Sequence, residues 1–514
     1  MPSPTNLDRL QRRSSLSDTR NPASPLLFRR KSGPRIRAVE SLTAPIHHQT
    51  PLLETMTVPK AKGGDVSTQA QWSQVHCSTE LERLLRCRAV EAVVWGMPLV
   101  RFDVMRQAFF RDAKAAYGDI VYWSKPADWK VQFTTPDAVS YHVYFNFNTK
   151  AGPVVIDLPP SAAASLAGSI VSAWDKPLAE IGSNGVEKGR GGKLLLMPPS
   201  CKMVVPAGYI PVRSETYNGC ALLRATADPL ITDTTSALDL VRSIQVYPLA
   251  QASNPRQQRF IDMAGKLFDG VMRFDDRLFD GLARMVSEEP VRTRDLVAMN
   301  QIYPLGIGKR RTFEPDRATR EILKESAQEV QSGLSEGSVT GEPLEPMGHW
   351  IRSATIPSKI GLTYETAARF GIDARNVEYF MAFEDLKERH SLSPDAGAFC
   401  DAARQPLQGE RTYRLRIPAR VAVERSWEVA AYDFDTASFI RQSPSVAVYS
   451  NSEATRRKGD GGVDVYFGPS APSYETNWIY TAPGKRWFTF FRSYDPEKSF
   501  FDQTRGLPGL EKIG

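Results

Sequence analysis

The chain has 514 residues, of which 41% are hydrophobic and 24% are charged, as in ordinary globular proteins. Its net charge of +7 is concentrated at the start, since residues 1–60 carry ten Lys or Arg against four Asp or Glu. The rest of the chain is close to neutral, which excludes a large nucleic-acid-binding surface. No apolar run approaches the roughly 20 residues of a transmembrane helix. The composition therefore predicts neither a nucleic-acid partner nor a transmembrane segment.

The first segment, residues 1–64, is rich in Ser, Pro and Arg and has no sustained apolar periodicity. This composition predicts a disordered basic tail. The apolar run Leu26–Phe28 is too short for a secretory signal, whereas an Arg- and Ser-rich, acid-poor start would also suit an organelle transit peptide. A true start at Met56 instead of Met1 would remove most of the tail. The sequence leaves these alternatives open, and with no signal evident we expect a cytoplasmic location or leave the compartment unassigned.

The five cysteines have no CxxC spacing, and no paired Cys/His ligands occur. Small buried apolar residues are the simplest interpretation. Cys201 and Cys220 flank a predicted hairpin and could pair in an oxidising compartment, which the sequence does not decide. We predict no metal site.

The next region, residues 78–231, begins with a helical pattern over 78–115, which Gly96 and Pro98 should kink or end. Short alternating segments with Gly and Pro between them follow. These predict strands and an antiparallel sandwich or barrel. They lie at 131–148, 152–160, 191–199, 203–214 and 220–226.

Residues 232–346 show a helical pattern again and predict a helical connector. The apolar residues between Phe260 and Phe268 form a stripe at helical spacing. Pro315 and Asp316 fit the start of a helix, because proline and an acidic side chain both favour the first turn. The Gly- and Ser-rich residues 333–346 predict a mobile loop.

The last region, residues 347–514, returns to strand patterns at 412–418, 427–436 and 445–450. Residues 461–502 read as two β-hairpins in series, separated by Gly/Pro turns. The predicted fold class is mixed and mainly β. It comprises two antiparallel β-sandwich or jelly-roll-like domains, a helical N-terminal segment and a helical connecting region.

Several ordered strings of residues resemble a known family. They include the helix at 91–107, the Gly-Pro-Val-Val strand at 152–155, the Gly-Lys…Phe-x-Pro-Asp turn at 308–316 and the C-terminal strings at 412–433 and 468–479. Together they resemble a mostly bacterial two-domain family known as domain of unknown function 1254 followed by domain of unknown function 1214. The resemblance covers roughly 85–230 and 300–514. It implies an architecture and no chemistry, and relatives are often exported.

The first candidate site lies where a strand starts near residue 137. Relatives read Pro-Asn-x-Asp-Thr-x-Tyr here, and Asp137 and Tyr141 match that pattern while its Asn and Thr are replaced. If residues 137, 139 and 141 share one strand face, a carboxylate and a phenol lie together as a catalytic pair, with His142 on the opposite face as a ligand-binding residue. Alternatively, Asp137 closes the turn after Pro136 and Tyr141 fills the core.

Other candidates are ligand-binding aromatic and polar residues and a glycine-rich loop. Trp350 and Arg352 could bind a planar or carboxylate ligand, and Asn477 and Trp478 form a second pair. The backbone of residues 182–193 could hold an anion. In each case the alternative is a structural role: buried aromatic packing, a capped turn, or a hairpin loop that requires positive φ.

Two functions of different classes fit these residues. The first is binding of a small molecule or saccharide in a pocket between the two β domains. The second is a hydrolase- or lyase-like enzyme that uses the Asp137–Tyr141 pair. The sequence does not identify a cofactor, and it leaves a homo-oligomer open.

Overall fold

The computed structural model describes residues 66–162, 164–227, 235–340, 350–352, 364, 368, 370–373, 375, 396–419, 423–472, 477–496 and 507–513. The predicted tail at 1–64 lies outside these residues. The helices and strands below lie between Val66 and Lys512.

The long N-terminal helix α1 spans Val66–Arg111 and runs without interruption through Gly96 and Pro98. The prediction that these two residues end the helix is therefore wrong, and a kink at this point stays a prediction. Gly96 serves packing, because a Cβ atom there would lie 2.5 Å from a side-chain carbon of Leu282 in helix α3, Arg277–Glu288. Burial against α3 stabilises a helix that Pro98 alone would weaken.

The described residues between 118 and 270 contain twelve strands. They are β1 (Ile120–Tyr122), β2 (Val131–Gln132), β3 (Tyr141–Asn148), β4 (Val154–Leu158), β5 (Ala164–Ser172), β6 (Pro177–Ile181), β7 (Gly192–Met197), β8 (Tyr209–Arg213), β9 (Asn218–Ala227), β10 (Gln245–Pro248), β11 (Phe260–Asp262) and β12 (Phe268–Asp269). A six-stranded sheet has the order β11-β1-β3-β9-β5-β6, and a four-stranded sheet has the order β10-β4-β7-β8. These two sheets form the N-terminal sandwich, and β2 pairs with β12 beside it.

The alternation of side chains along β3 explains why the two sheets stack. Val143, Phe145 and Phe147 point into the core between the sheets, together with residues of β4, β7 and helix α2, Thr235–Arg242. Tyr144 points to the opposite face, into a different core. Both faces of the six-stranded sheet are therefore buried.

The described residues from 350 onward contain nine strands. They are β13 (Ile351–Arg352), β14 (Ala396–Ala398), β15 (Tyr413–Ile417), β16 (Val423–Asp433), β17 (Ala447–Tyr449), β18 (Val463–Gly468), β19 (Trp478–Tyr480), β20 (Trp487–Pro496) and β21 (Glu511–Lys512). A five-stranded sheet, β13-β14-β20-β16-β17, stacks on a four-stranded sheet, β19-β18-β15-β21, and these form the C-terminal sandwich. The mixed, mainly β fold class is confirmed.

Strand directions follow the prediction with some exceptions. Most neighbouring strands are antiparallel, but β1 with β11, β2 with β12, β7 with β8, and β18 with β19 are parallel. Cys220 is buried in β9, Cys201 is half-buried, and both are free thiols rather than a disulfide.

The region between the sandwiches contains α3, α4 (Leu296–Ile302) and α5 (Arg317–Thr340). Asp316 caps α5, since its Oδ1 accepts a hydrogen bond from the Thr319 amide at 2.7 Å, which confirms the predicted helix start. Two predictions are wrong. Residues 260–268 form β11 and β12 instead of a helix, and Gly333 lies inside α5 instead of a loop. The rest of that loop, 341–346, lies outside the described residues.

A central core lies between the two sandwiches. Helices α1, α3 and α5 contribute to it, together with one face of the six-stranded sheet and one face of the five-stranded sheet. Tyr144 and Leu222 represent the first sheet, and Tyr432 and Phe490 represent the second. None of the helices in the described part of the chain has both the length and the apolar composition that crossing a membrane requires.

Candidate functional site

Six polar side chains gather at the edge of the central core, and strand alternation puts most of them there. His142 shares a face of β3 with Tyr144, and Arg224 shares a face of β9 with Leu222. In the same way Glu428 lies on the Ala430 face of β16, and Arg492 lies on the Phe490 face of β20. We call this set the junction cluster: Asp137, His142, Arg224, Glu428, Arg492 and Tyr494.

Asp137 lies in a tight turn that precedes β3. Thr135 in that turn has a φ of 44°, which a β-branched residue rarely adopts and which marks local strain. The Asp137 carboxylate closes the turn, because its Oδ1 accepts hydrogen bonds from the amides of Val139 at 3.1 Å and Ser140 at 2.7 Å. The strand begins only at Tyr141, so the alternation that was expected from residue 137 does not apply.

The second oxygen of Asp137 faces positive charge. Its Oδ2 lies 3.5 Å from Arg224 Nη1 and 3.8 Å from His142 Nε2. This buried oxygen accepts no hydrogen bond within the described residues. Burial alone would raise the pKa of Asp137. The fields of His142, Arg224 and Arg492 outweigh burial and hold the pKa of this carboxyl well below its usual range.

Glu428 is the second buried carboxyl of the junction cluster. Both of its oxygens lie 3.2 Å from the Ala138 amide, which donates to them, and Tyr494 donates its hydroxyl to Oε2 at 3.1 Å. Burial raises the pKa of Glu428 to about 7, and the nearby Asp137 charge adds to this effect. Arg492, whose Nη1 lies 3.6 Å from Oε1, lowers the pKa only in part.

Arg492 joins the two sandwiches. Its guanidinium donates to the carbonyl oxygens of Thr135 at 2.7 Å and Pro136 at 3.2 Å. It also contacts the hydroxyl of Tyr432, which itself donates to the Pro136 oxygen at 2.8 Å. One residue of β20 thus binds the turn that carries Asp137. The strained turn of one sandwich is held in place by the sheet of the other.

The two carboxyls differ in what they can do near neutral pH. Asp137 stays ionised, while Glu428 exchanges a proton near pH 7. Burial and unequal positive fields push the pKa values of neighbouring carboxyls apart in acid–base sites of enzymes. The same groups also supply several acceptors and guanidinium donors within one small volume.

The junction cluster is closed on one side and reaches solvent on the other. Trp123 and Phe133 pack edge-on against the His142 ring, with centroid distances of 6.3 and 5.4 Å. On the other side the Arg224 side chain is 18% exposed and Tyr494 is half-buried. Arg224 and Tyr494 therefore form the partly exposed side of the cluster.

The expected pairing of Asp137 with Tyr141 is wrong. Tyr141 lies on the face of β3 that packs into the core of the N-terminal sandwich. His142, which was expected on the opposite face from Asp137, instead lies against it, and its Nε2 is 3.0 Å from the Asp137 carbonyl oxygen. The turn, rather than a regular strand, decides which side chains meet.

Trp350 lies inside the C-terminal sandwich. It is 2% exposed, donates its Nε1 hydrogen to the Pro508 oxygen at 2.9 Å and packs edge-on against Phe491. Phe491 is on the face of β20 opposite to Arg492, so Trp350 is not part of the junction cluster. Arg352 belongs to β13 through its backbone, and its side chain lies outside the described residues.

Asn477 and Trp478 both have structural contacts. The Asn477 side chain donates to the oxygens of Arg456 at 2.7 Å and Asp464 at 3.1 Å, and accepts from the Arg456 amide at 2.9 Å. Trp478 is half-buried in β19, which pairs with β18 and not with β20, and its Nε1 donates to the Gly468 oxygen at 3.1 Å. Their proposed binding role remains an untested prediction.

The glycine-rich loop between β6 and β7 holds an anion from its own sequence. The Glu187 carboxylate accepts hydrogen bonds from the amides of Gly182 at 2.8 Å and Gly189 at 3.2 Å. Gly182 and Gly189 have φ values of 125° and 68°, which a side chain would strain. The loop therefore serves as a closed turn, and its carboxylate occupies the place that an external anion would take.

The sequence did not predict four members of the junction cluster as site residues: Arg224, Glu428, Arg492 and Tyr494. The available signal was a charged residue inside a strand whose neighbours are buried, as for Glu428 in β16 and Arg492 in β20. Such residues require a partner, but the sequence does not say which one. Within the described residues, no group of three His, Cys, Asp or Glu side chains is placed to hold a metal ion.

Two ranges of the chain match models of known domain families. Residues 118–248 match the model "Protein of unknown function (DUF1254)", and residues 395–498 match "Protein of unknown function (DUF1214)". The junction cluster draws Asp137, His142 and Arg224 from the first range and its remaining members from the second. No curated protein matches the chain.

Two solved structures resemble the chain at low identity. A Vibrio parahaemolyticus protein has a TM-score of 0.49 at 13% identity, and the match covers 84% of this chain and 100% of that one. An uncharacterised protein from Burkholderia cenocepacia has a TM-score of 0.38 at 12% identity, covering 87% and 98%. Neither similarity bears on function. The two matched ranges show a 1254-type domain of unknown function followed by a 1214-type domain, in the order that the resemblance implied.

Proposed function

We propose that the junction cluster binds a small neutral hydroxylated molecule, such as a saccharide unit, between the two sandwiches. The observation that carries this proposal is the pair of buried carboxyls, Asp137 and Glu428, held beside Arg224 and Arg492 where the sandwiches meet. Burying such groups costs free energy, and proteins place perturbed groups of this kind preferentially at functional sites.

The chemistry of the cluster favours a hydroxylated ligand. Hydroxyl groups both donate and accept hydrogen bonds, so they match the guanidinium donors of Arg224 and the hydroxyl of Tyr494 on the partly exposed side of the cluster. A ligand with its own carboxylate would be repelled by Asp137. The partly exposed Arg224 and Tyr494 are the contact residues in this proposal, and the charge of Arg224 also acts on the Tyr494 hydroxyl. Asp137 and Glu428 hold these two side chains in position.

A thermal-shift panel of monosaccharides and polyols tests this binding. We expect at least one sugar to raise the Tm of the wild-type protein, and the rise to shrink in Arg224→Gln and in Tyr494→Phe. Arg414→Gln is the matched control, since Arg414 pairs with Glu511 on the exposed edge of the C-terminal sandwich. If no sugar stabilises the protein, or if stabilisation persists in both cluster variants, the proposal fails.

A second candidate is a hydrolase- or lyase-like activity in which Glu428 exchanges a proton with a substrate through Tyr494. The specific observation is the 3.1 Å hydrogen bond between the Tyr494 hydroxyl and Glu428, whose pKa is raised to about 7. This is a carboxyl–tyrosine pair like the one the sequence predicted, but made of other residues.

Release of nitrophenol from 4-nitrophenyl glycosides tests the enzymatic candidate. We expect the rate of nitrophenol release to change between pH 6 and pH 8, with an apparent pKa of about 7. This activity should be lost in Glu428→Gln. An unchanged rate of nitrophenol release in Glu428→Gln would contradict the enzymatic candidate. So would the release of no nitrophenol from any glycoside by a protein that still binds sugars. Either result would leave binding as the function.

A further inference from the structure

A cleft in the N-terminal sandwich lies outside the junction cluster. It has a volume of about 240 Å³ and opens beside Tyr117 and Gln251, at the edge where β3, β4 and β10 end. Its inner wall is apolar, since Phe147, Val154 and Val246 line it and are all buried. A dry cavity of roughly 150 Å³ is large enough to bind benzene in another protein. This cleft is therefore large enough for one ring and a small substituent.

One positive charge at the mouth of the cleft is not compensated by its neighbour. Arg256 lines the cleft, and its Nη2 lies 3.0 Å from Asp119 Oδ1. Arg259 Nη1 lies 3.0 Å from the other oxygen of the same carboxylate. Asp119 also accepts a hydrogen bond from the Ala116 amide at 2.8 Å. Two guanidinium groups thus share one carboxylate, which neutralises only one of them.

The Arg256 guanidinium is held in place before any ligand arrives. Its Nη2 donates to the Tyr117 carbonyl oxygen at 3.2 Å in addition to its contact with Asp119. Gly118 permits this close approach, because it has a φ of 81° and a Cβ atom there would lie 3.3 Å from Arg256 Nη2. A fixed donor loses less conformational entropy when it binds an anion than a mobile one.

We propose that this cleft is a second ligand site and that it binds a small carboxylate with an apolar ring or chain. The apolar part lies against Phe147, Val154 and Val246, and the carboxylate accepts hydrogen bonds from Arg256. The site is independent of the function proposed for the junction cluster, because it uses none of the same residues.

Benzoate and its neutral counterpart benzamide are the probes for this site. Titration of the full-length protein by ligand-observed NMR gives both dissociation constants. We expect benzoate to bind about twofold to fivefold more tightly than benzamide, which is the difference that an exposed arginine contact supplies. Arg256→Gln should abolish this preference. Arg242→Gln is the matched control, because Arg242 is an exposed arginine that pairs with Asp239 on α2 and does not line the cleft, and it should keep the preference.

A second variant tests the location by filling the cleft rather than changing its charge. Gln251 is exposed at the rim, so Gln251→Trp should fold and should weaken binding of both probes at least about tenfold. Equal binding of benzoate and benzamide, no binding of benzoate at millimolar concentration, or an equal loss of preference in Arg242→Gln would overturn the proposal. Unchanged binding in a folded Gln251→Trp variant would also overturn it.

Discussion

Replacing Glu428 with glutamine should change how the stability of the protein depends on pH. In the folded protein the pKa of Glu428 is raised from its ordinary 4.5 to about 7, chiefly by burial. The folded state therefore binds this proton more tightly than the unfolded state. Its contribution to stability is fully present below pH 4.5 and is lost as the pH rises to about 7. Glutamine cannot ionise, so the stability of the variant does not decrease in this way as the pH rises.

The magnitude follows from the two pKa values. Each pKa unit corresponds to about 1.36 kcal/mol, so the full difference for Glu428 is about 3 kcal/mol. Asp137 does not contribute to the change in stability between pH 4.5 and about 7. Its pKa is lowered in the folded protein, so its contribution to stability is lost only as the pH falls below the ordinary value of 3.8. Asp175, whose pKa is also raised to about 7, acts equally in both proteins and cancels in the comparison.

Urea unfolding of the wild type and Glu428→Gln at pH 5 and at pH 8 measures the effect. Relative to wild type, the free energy of unfolding of the variant should rise by about 2 to 3 kcal/mol between the two pH values. Glu321→Gln, an exposed carboxyl change on α5, should show no such rise and serves as the control. If the free energies of unfolding of wild type and variant differ by the same amount at both pH values, the raised pKa of Glu428 is contradicted. Glu428 would then be ionised in the folded protein at pH 5 as well as at pH 8.

Three further predictions concern stability and are measured by urea unfolding at pH 7. Trp487→Ala should lower the free energy of unfolding by about 3–5 kcal/mol, because Trp487 is 1% exposed and packs on other rings. Trp478 is half-buried, so Trp478→Ala should lower it by about 1 kcal/mol. Equal losses in the two variants would contradict this ranking. Glu187→Ala should cost about 2 kcal/mol by leaving the Gly182 and Gly189 amides without an acceptor, and a neutral result would mean that water replaces the carboxylate. Asp316→Ala should cost about 1 kcal/mol through loss of the α5 cap, and Asp316→Asn should retain most of the stability.

Local sequence signals predicted much of the architecture. Strand alternation located β18 and β20, and the Pro315–Asp316 pair located the start of α5. These signals succeed because they act within a few residues of one another. The fold class depends on the same periodicities, and so does the burial of Val463, Val465 and Phe467 along one strand.

The errors in the fold have tertiary causes. Gly96 and Pro98 should break an isolated helix, but burial of α1 against α3 overrides that local preference. The apolar residues between Phe260 and Phe268 fit helical spacing, yet the backbone of Phe260 pairs with Ile120 of β1. A short apolar run does not distinguish the two outcomes, because the partner strand lies more than a hundred residues away.

The candidate site was predicted only in part, since Asp137 and His142 were named and their partners were not. Glu428 and Arg492 are distant in sequence and meet the turn at Asp137 only through packing of the two sandwiches. Tyr141 was assigned to the site by assuming a regular strand from residue 137. The positive φ of Thr135, which redirects the turn, has no sequence signature in a threonine.

The crystal structure of the protein soaked with its most strongly stabilising sugar tests the central claim most directly. We predict a sugar between the two sandwiches, with hydroxyl groups within hydrogen-bond distance of Arg224 and Tyr494. A sugar bound elsewhere, while Arg224 and Tyr494 keep their contacts to Asp137 and Glu428, would contradict it.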